Sequence, residues 1–215
     1  MAARFHNRAD AGRRLAGVLR GYAGRGDVIV LVLPRGGVPV GVEVAQALGA
    51  PLDVFMVRKL GVPGQEELAL GAIASGGVRV LNQDLIQQLG IRPAQIERVT
   101  RRERLELERR ERRYRGDRPL PDLTGKTVIL VDDGLATGST MLAAVEALRS
   151  KGPRRIVVAV PVAAPETCEA FRHVADEIVC AVTPEPFHAV GLWYENFSET
   201  TDDEVHELLA QVPAV

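Results

Sequence analysis

Val128-Ile-Leu-Val-Asp-Asp-Gly-Leu-Ala-Thr-Gly-Ser-Thr140 is the stretch on which the fold turns. Its first four residues are apolar and mostly β-branched, which reads as a strand buried on both faces, as in a parallel sheet. Two adjacent carboxylates, Asp132 and Asp133, follow at the carboxyl end of that strand, where open α/β sheets place their ligands. Gly134, Thr137, Gly138, Ser139 and Thr140 then offer amides and hydroxyls just before a helical pattern opens at Met141, an arrangement suited to a phosphate. Carboxylates beside a phosphate cradle imply a ligand carrying both phosphate and hydroxyls, with a divalent cation in attendance. A phosphorylated sugar fits. The plainer alternative is an ordinary βα turn with two solvated acids.

Outward from this stretch the chain alternates strand and helix, which argues for a doubly wound parallel α/β sheet. Asp10 to Tyr22 reads as an amphipathic helix with Leu15, Val18 and Leu19 on one face. Val28 to Leu33 is a strand, Gly36 to Leu48 a helix ended by Gly49, and Leu52 to Val57 the next strand. Leu68 to Ala74 and Val78 to Leu81, joined through Ser75-Gly76-Gly77, form a hairpin. Val128 to Val131, Ile156 to Val160 and Ile178 to Val182 complete the sheet, separated by helices Thr140 to Ser150 and Pro165 to Val174. Asp202 to Gln211 closes the chain as a helix. Pro93 to Arg115 is a long helix in which Glu97, Glu103, Glu106, Glu108 and Glu111 alternate with arginines, so its charges pair along its length. Only Val99, Leu105 and Leu107 give it an apolar edge, so it is expected to be a solvated helix, with a dimer contact as one use and RNA binding as the rival.

The 215 residues, 46% hydrophobic and 26% charged, suit one globular domain. A net charge of −1 removes any global argument for nucleic-acid or membrane affinity. No apolar run reaches membrane-span length and no signal-peptide pattern opens the chain, so a cytoplasmic location is expected. Cys168 and Cys180 read as buried thiols on a helix and a strand. His6, His173 and His206 show no metal-ligand pattern. Gly125-Lys126-Thr127 imitates the end of a nucleotide-triphosphate loop, but it precedes a strand and the first glycine of that pattern would fall at Leu120.

Val128 to Thr140 resembles, in register, the signature loop of the type I phosphoribosyltransferases, which bind 5-phospho-α-D-ribosyl 1-diphosphate (PRPP). The resemblance implies one domain over residues 1–215: a parallel sheet flanked by helices, with a flexible loop, a hood at 183–198 and the charged helix 93–115 as an insertion. It implies that Asp132 and Asp133 meet the ribose hydroxyls. Gly134, Leu135, Ala136, Thr137, Gly138, Ser139 and Thr140 would wrap the 5′-phosphate. Arg35, Gly36 and Gly37, after the first sheet strand, would hold the diphosphate, although a glycine turn needed only for packing explains them as well. Arg58 and Lys59, at the end of Leu52 to Val57, would neutralise charge on the departing diphosphate. Leu60 to Glu67 resembles the mobile loop that closes over PRPP, and Glu66 or Glu67 would handle a proton on the acceptor. Mg²⁺ would be held mainly by diphosphate and ribose oxygens, with few or no protein ligands. The partners implied are PRPP, a nucleobase or other nitrogen acceptor, and a second copy of the chain.

Two features bear on the acceptor. The 6-oxopurine enzymes of this family carry an aspartate just before the Thr-Gly of the phosphate loop, where this chain has Ala136. That argues against a hypoxanthine/guanine enzyme and lies nearer the adenine variant. The hood collects Phe187, Trp193, Tyr194 and Phe197 in a chain with 4% aromatics. Phe187 and Trp193 are the base-stacking candidates, with ordinary packing over the sheet edge as the equal alternative. His188 is a hood hydrogen-bonding group or a surface histidine. The same fold also serves regulators that sense PRPP or nucleotides with little or no catalysis, and fold alone does not separate the two.

Overall fold

A computed structural model describes residues 4–213. In chain order the elements are α1 (Arg8–Val18), β1 (Val28–Val32), α2 (Gly37–Leu48), β2 (Leu52–Val54), β3 (Val57–Val62), β4 (Gln65–Ala74), β5 (Val78–Leu81), α3 (Gln83–Gln88) and α4 (Pro93–Arg115). There follow β6 (Thr127–Val131), α5 (Ser139–Arg149), β7 (Arg155–Val162), α6 (Pro165–Phe171), β8 (Glu177–Val182) and α7 (Asp202–Leu209).

The main sheet is parallel, ordered β2-β1-β6-β7-β8, as the unbroken apolar runs require. Side chains alternate across it. Val28, Val30, Val32, Ile129 and Val131 face α1, α2 and α7, while Ile29, Leu31, Val128 and Leu130 face α5 and α6. Both faces of β1 and β6 are therefore dry, and polar chemistry there is confined to the strand ends. Among the described residues, no helix is long and apolar enough to cross a membrane.

A second, antiparallel sheet, β3-β4-β5, corrects two expectations. The run Leu52 to Val57 is not one strand: β2 ends at Val54, and the chain crosses through buried Phe55 and Met56 into β3. Periodicity misses the break because these residues are apolar and buried in whichever sheet they join. The segment Leu60 to Glu67 is likewise no open loop. It is the far end of the β3–β4 hairpin, turning at Pro63-Gly64 with irregular pairing around Gly61.

Helix α4 has the expected bounds but is not merely a solvated rod. Ile96, Val99, Thr100, Glu103, Leu107, Tyr114 and Arg115 form a buried stripe, while Leu105 is 65% exposed. The stripe has helical spacing, but Glu103 and Arg115 sit in it, which disguises it as polar sequence. Val18, expected on the apolar face of the first helix, is also exposed, because α1 ends there and Leu19 takes the buried position. Cys168 and Cys180 are not free thiols: docking of α6 on β8 brings them together as a disulfide.

Candidate functional site

Because β1 and β6 are parallel neighbours, the loops after them emerge side by side at the carboxyl edge. The Leu33 amide donates to the Val131 carbonyl at 3.0 Å and closes the seam between them. Each loop leads directly into a helix, α2 at Gly37 and α5 at Ser139, so two helix N-termini converge on this edge.

Asp132 and Asp133 lie at the centre. The Asp133 amide donates to Asp132 Oδ1 at 2.9 Å. Asp133 Oδ2 accepts from Arg8 Nε at 2.8 Å. Tyr194, in the hood, donates its hydroxyl to the Asp133 carbonyl at 2.6 Å. Burial, then the charge of Asp133, lifts Asp132 well above the usual carboxylate range, against the opposing influence of the Asp133 amide and Arg8. Burial also raises Asp133, opposed chiefly by its bond to Arg8. Burial and the charge of Asp133 push the Tyr194 phenol up, so it remains a donor.

Gly36 and Gly37 press directly against this pair. A Cβ on Gly36 would lie 2.2 Å from Asp133 Oδ2, and one on Gly37 would lie 2.8 Å from the Val131 carbonyl oxygen. Packing against the acids is thus reason enough for both glycines. Gly36→Ala is expected to cost about 1–3 kcal/mol through overpacking. Chemical denaturation should show most of that cost disappearing when Asp133→Ala removes the carboxylate. An unchanged cost in that background would place the collision elsewhere.

The loop after the acids is braced from outside. Thr167 Oγ1 donates to the Ala136 carbonyl at 2.6 Å. Gly138, at φ 75°, sits where a Cβ would meet the Phe171 ring at 2.6 Å. Among the described residues, the amides of Gly134 and of Ala136 to Thr140 donate to no protein acceptor. Leu135 departs from expectation. It is buried and its amide donates to the Val162 carbonyl at 2.9 Å, so it serves the core.

The expected diphosphate cations do not gather around the acids. Arg35 is drawn to Glu199 and Asp202 of the C-terminal segment. Arg58 lies in β3 and pairs with Glu103 of α4 at 2.6 Å. Lys59 donates to the Glu67 carbonyl at 3.1 Å across the hairpin, while the Glu67 carboxylate is fully exposed, as is that of Glu66 in large part. Phe187 and Trp193, the stacking candidates, are partly buried and pack against a small core of Phe5, Ala11, Val162 and Tyr194. Phe5 pairs with Tyr194, so the hood is built from both the N-terminal segment and residues 183–198. Sequence reading missed Arg8 altogether, and a lone arginine beside a helix start carries no signal of a contact 125 positions away. No group of three or more His, Cys, Asp or Glu among the described residues is placed to hold a metal ion.

Comparison with known proteins agrees with this geometry. The phosphoribosyl transferase domain family matches residues 3–192. A Mycobacterium tuberculosis (strain H37Rv) protein, provisionally named a phosphoribosyl transferase, is 50% identical over 201 residues, covering 94% of this chain and 45% of its own length. The chain therefore spans less than half of that curated relative. The bifunctional protein PyrR of Chloroflexus aurantiacus is 37% identical over 122 residues, covering 55% of this chain and 60% of its own. The crystal structure of TT1426 from Thermus thermophilus superposes with a TM-score of 0.86 at 45% identity, covering 97% of this chain and 99% of that one. With the acid pair, the adjoining glycine loop and the paired helix N-termini at one sheet edge, these matches establish that the chain belongs to the phosphoribosyl transferase domain family.

Proposed function

We propose that the chain transfers the 5-phosphoribosyl group of PRPP to a nitrogen atom of a nucleobase, releasing pyrophosphate. The observation that carries this reading is the half-buried Asp132–Asp133 pair set between two helix N-termini. Carboxylates accept from the ribose 2′- and 3′-hydroxyls and offset positive charge developing at C1 as the C1–O bond breaks. The open amides of Gly134 and of Ala136 to Thr140 anchor the 5′-phosphate. Arg35 and Lys59 reach the diphosphate by exchanging their present carboxylate and carbonyl partners for it. Mg²⁺ would be carried mainly on diphosphate and ribose oxygens beside the acid pair. When bound there, Mg²⁺ lowers the charge of the leaving diphosphate. A nucleic-acid-binding regulator would need a face of one sign, whereas Arg109 and Arg110 of α4 are both paired with Glu106.

Calorimetric titration of PRPP with and without Mg²⁺ tests the reading. Micromolar binding that requires Mg²⁺ is expected, followed by pyrophosphate release when the correct nucleobase is added. Absence of PRPP binding would remove this function and leave the family assignment standing.

A further inference from the structure

Each acid of the pair has one oxygen committed to the protein. Asp132 Oδ1 accepts the Asp133 amide, and Asp133 Oδ2 is bonded to Arg8 beneath Gly36. Among the described residues, no hydrogen bond engages Asp132 Oδ2 or Asp133 Oδ1. The pair is therefore presented with one free acceptor oxygen on each carboxylate, and Arg8 decides which oxygen of Asp133 that is.

Arg8 is itself firmly held. Its side chain is 11% exposed, Nη1 donates to the Ser198 carbonyl at 2.6 Å, and its guanidinium lies 4.0 Å from the centroid of the Phe197 ring. Helix stability does not explain it. Arg8 is the first residue of α1, where a cation opposes the helix dipole. Among the described residues it is also the one cation paired with either acid.

We propose that Arg8 is a positioning residue of the transfer site, fixing the Asp133 carboxylate with Oδ1 turned to the ribose. The proposal rests on the PRPP reading above. Ser198 and Phe197 orient the guanidinium, the guanidinium orients Asp133, and of these four residues Asp133 alone meets the substrate. The influence of Arg8 on both carboxyls is in the same direction, opposing the effect of burial. The Phe197 ring, with the Arg8 guanidinium over it, acts as the arginine's support.

The test is a double-mutant cycle read by calorimetry with PRPP and Mg²⁺. Arg8→Gln, which keeps reach but loses charge, should weaken PRPP binding about 10-fold, the scale of one charge-assisted hydrogen bond. Arg8→Lys should lose about 3-fold, since the charge remains and the fork does not. Asp133→Asn and Arg8→Gln/Asp133→Asn should bind alike within about 2-fold, because Arg8 acts through Asp133. Binding of inorganic pyrophosphate, which lacks ribose, should be unchanged in Arg8→Gln. Wild-type PRPP affinity in Arg8→Gln, additive losses in the cycle, or equal losses for pyrophosphate would each overturn the role. Should Arg8→Gln fail to fold, the cycle is run with Arg8→Lys, where additive losses overturn it equally. Failure of the unmutated protein to bind PRPP would instead sink the transfer reading itself.

Discussion

Replacing Asp132 and Asp133 together by asparagine is expected to weaken PRPP binding by about 10²-fold or more while leaving the protein at least as stable at neutral pH. The binding loss follows from removing two charged acceptors, each worth about 1.5–3 kcal/mol in a hydrogen bond. The stability effect has the opposite sign because both carboxyls are raised by burial. A raised folded-state pKa means that the native protein holds these protons more tightly than the unfolded chain does. Stability is then highest below the unfolded value of 3.8 and falls as pH climbs through the raised folded values. Ionising the two acids therefore burdens the fold, even with Arg8 in place. Thermal melting between pH 7 and pH 5 checks the sign: the wild type should gain stability on acidification, and the double variant should lack that gain. A variant that melts well below the wild type at pH 7 would show that the acids serve the fold and not a ligand.

The centre of the site is legible in the sequence and its surroundings are not. Strand β6 and the acids after it are contiguous, so a buried strand, two carboxylates and a glycine-rich turn can be read from thirteen successive residues. The parallel sheet follows from similar local runs, because strands buried on both faces have no polar alternation to blur them. What fails to show depends on contacts distant in sequence. Arg58 reads as the end of a sheet strand, but β3 leaves for a second sheet and meets Glu103, 45 positions on. The Cys168–Cys180 bond depends on how α6 lies over β8. The hood aromatics read as a stacking surface, and nothing local reports that Phe5 from the other end of the chain packs on Tyr194. Local pattern reports which residues are apolar; it does not report which neighbours they will find.

The largest loss of stability is expected at another such contact. Arg115, at the last turn of α4, donates through Nε to both oxygens of Asp53 at 3.1 and 3.0 Å, and through Nη2 to the Val54 carbonyl. Both residues are buried, Asp53 at 4% and Arg115 at 5% exposure. Asp53 lies in the middle of β2, just before the chain crosses into the second sheet, so the pair pins α4 to that junction. Arg115→Met keeps the aliphatic stem but strands a carboxylate in the core, which is expected to cost about 3–5 kcal/mol. For a chain of this size that corresponds to a fall in melting temperature of about 6–20 °C. Asp53→Val/Arg115→Met removes both charges and should recover most of the loss, since a buried pair replaced by apolar groups of similar volume is close to neutral. Denaturant titration of the two variants separates charge from packing. If the double variant is as unstable as Arg115→Met alone, the guanidinium's bonds to the Val54 carbonyl and to Glu111, and not its pairing with Asp53, hold the junction. Recovery would mean that the ion pair is needed only because the carboxylate is there, and that an apolar pair can anchor α4 against β2 just as well.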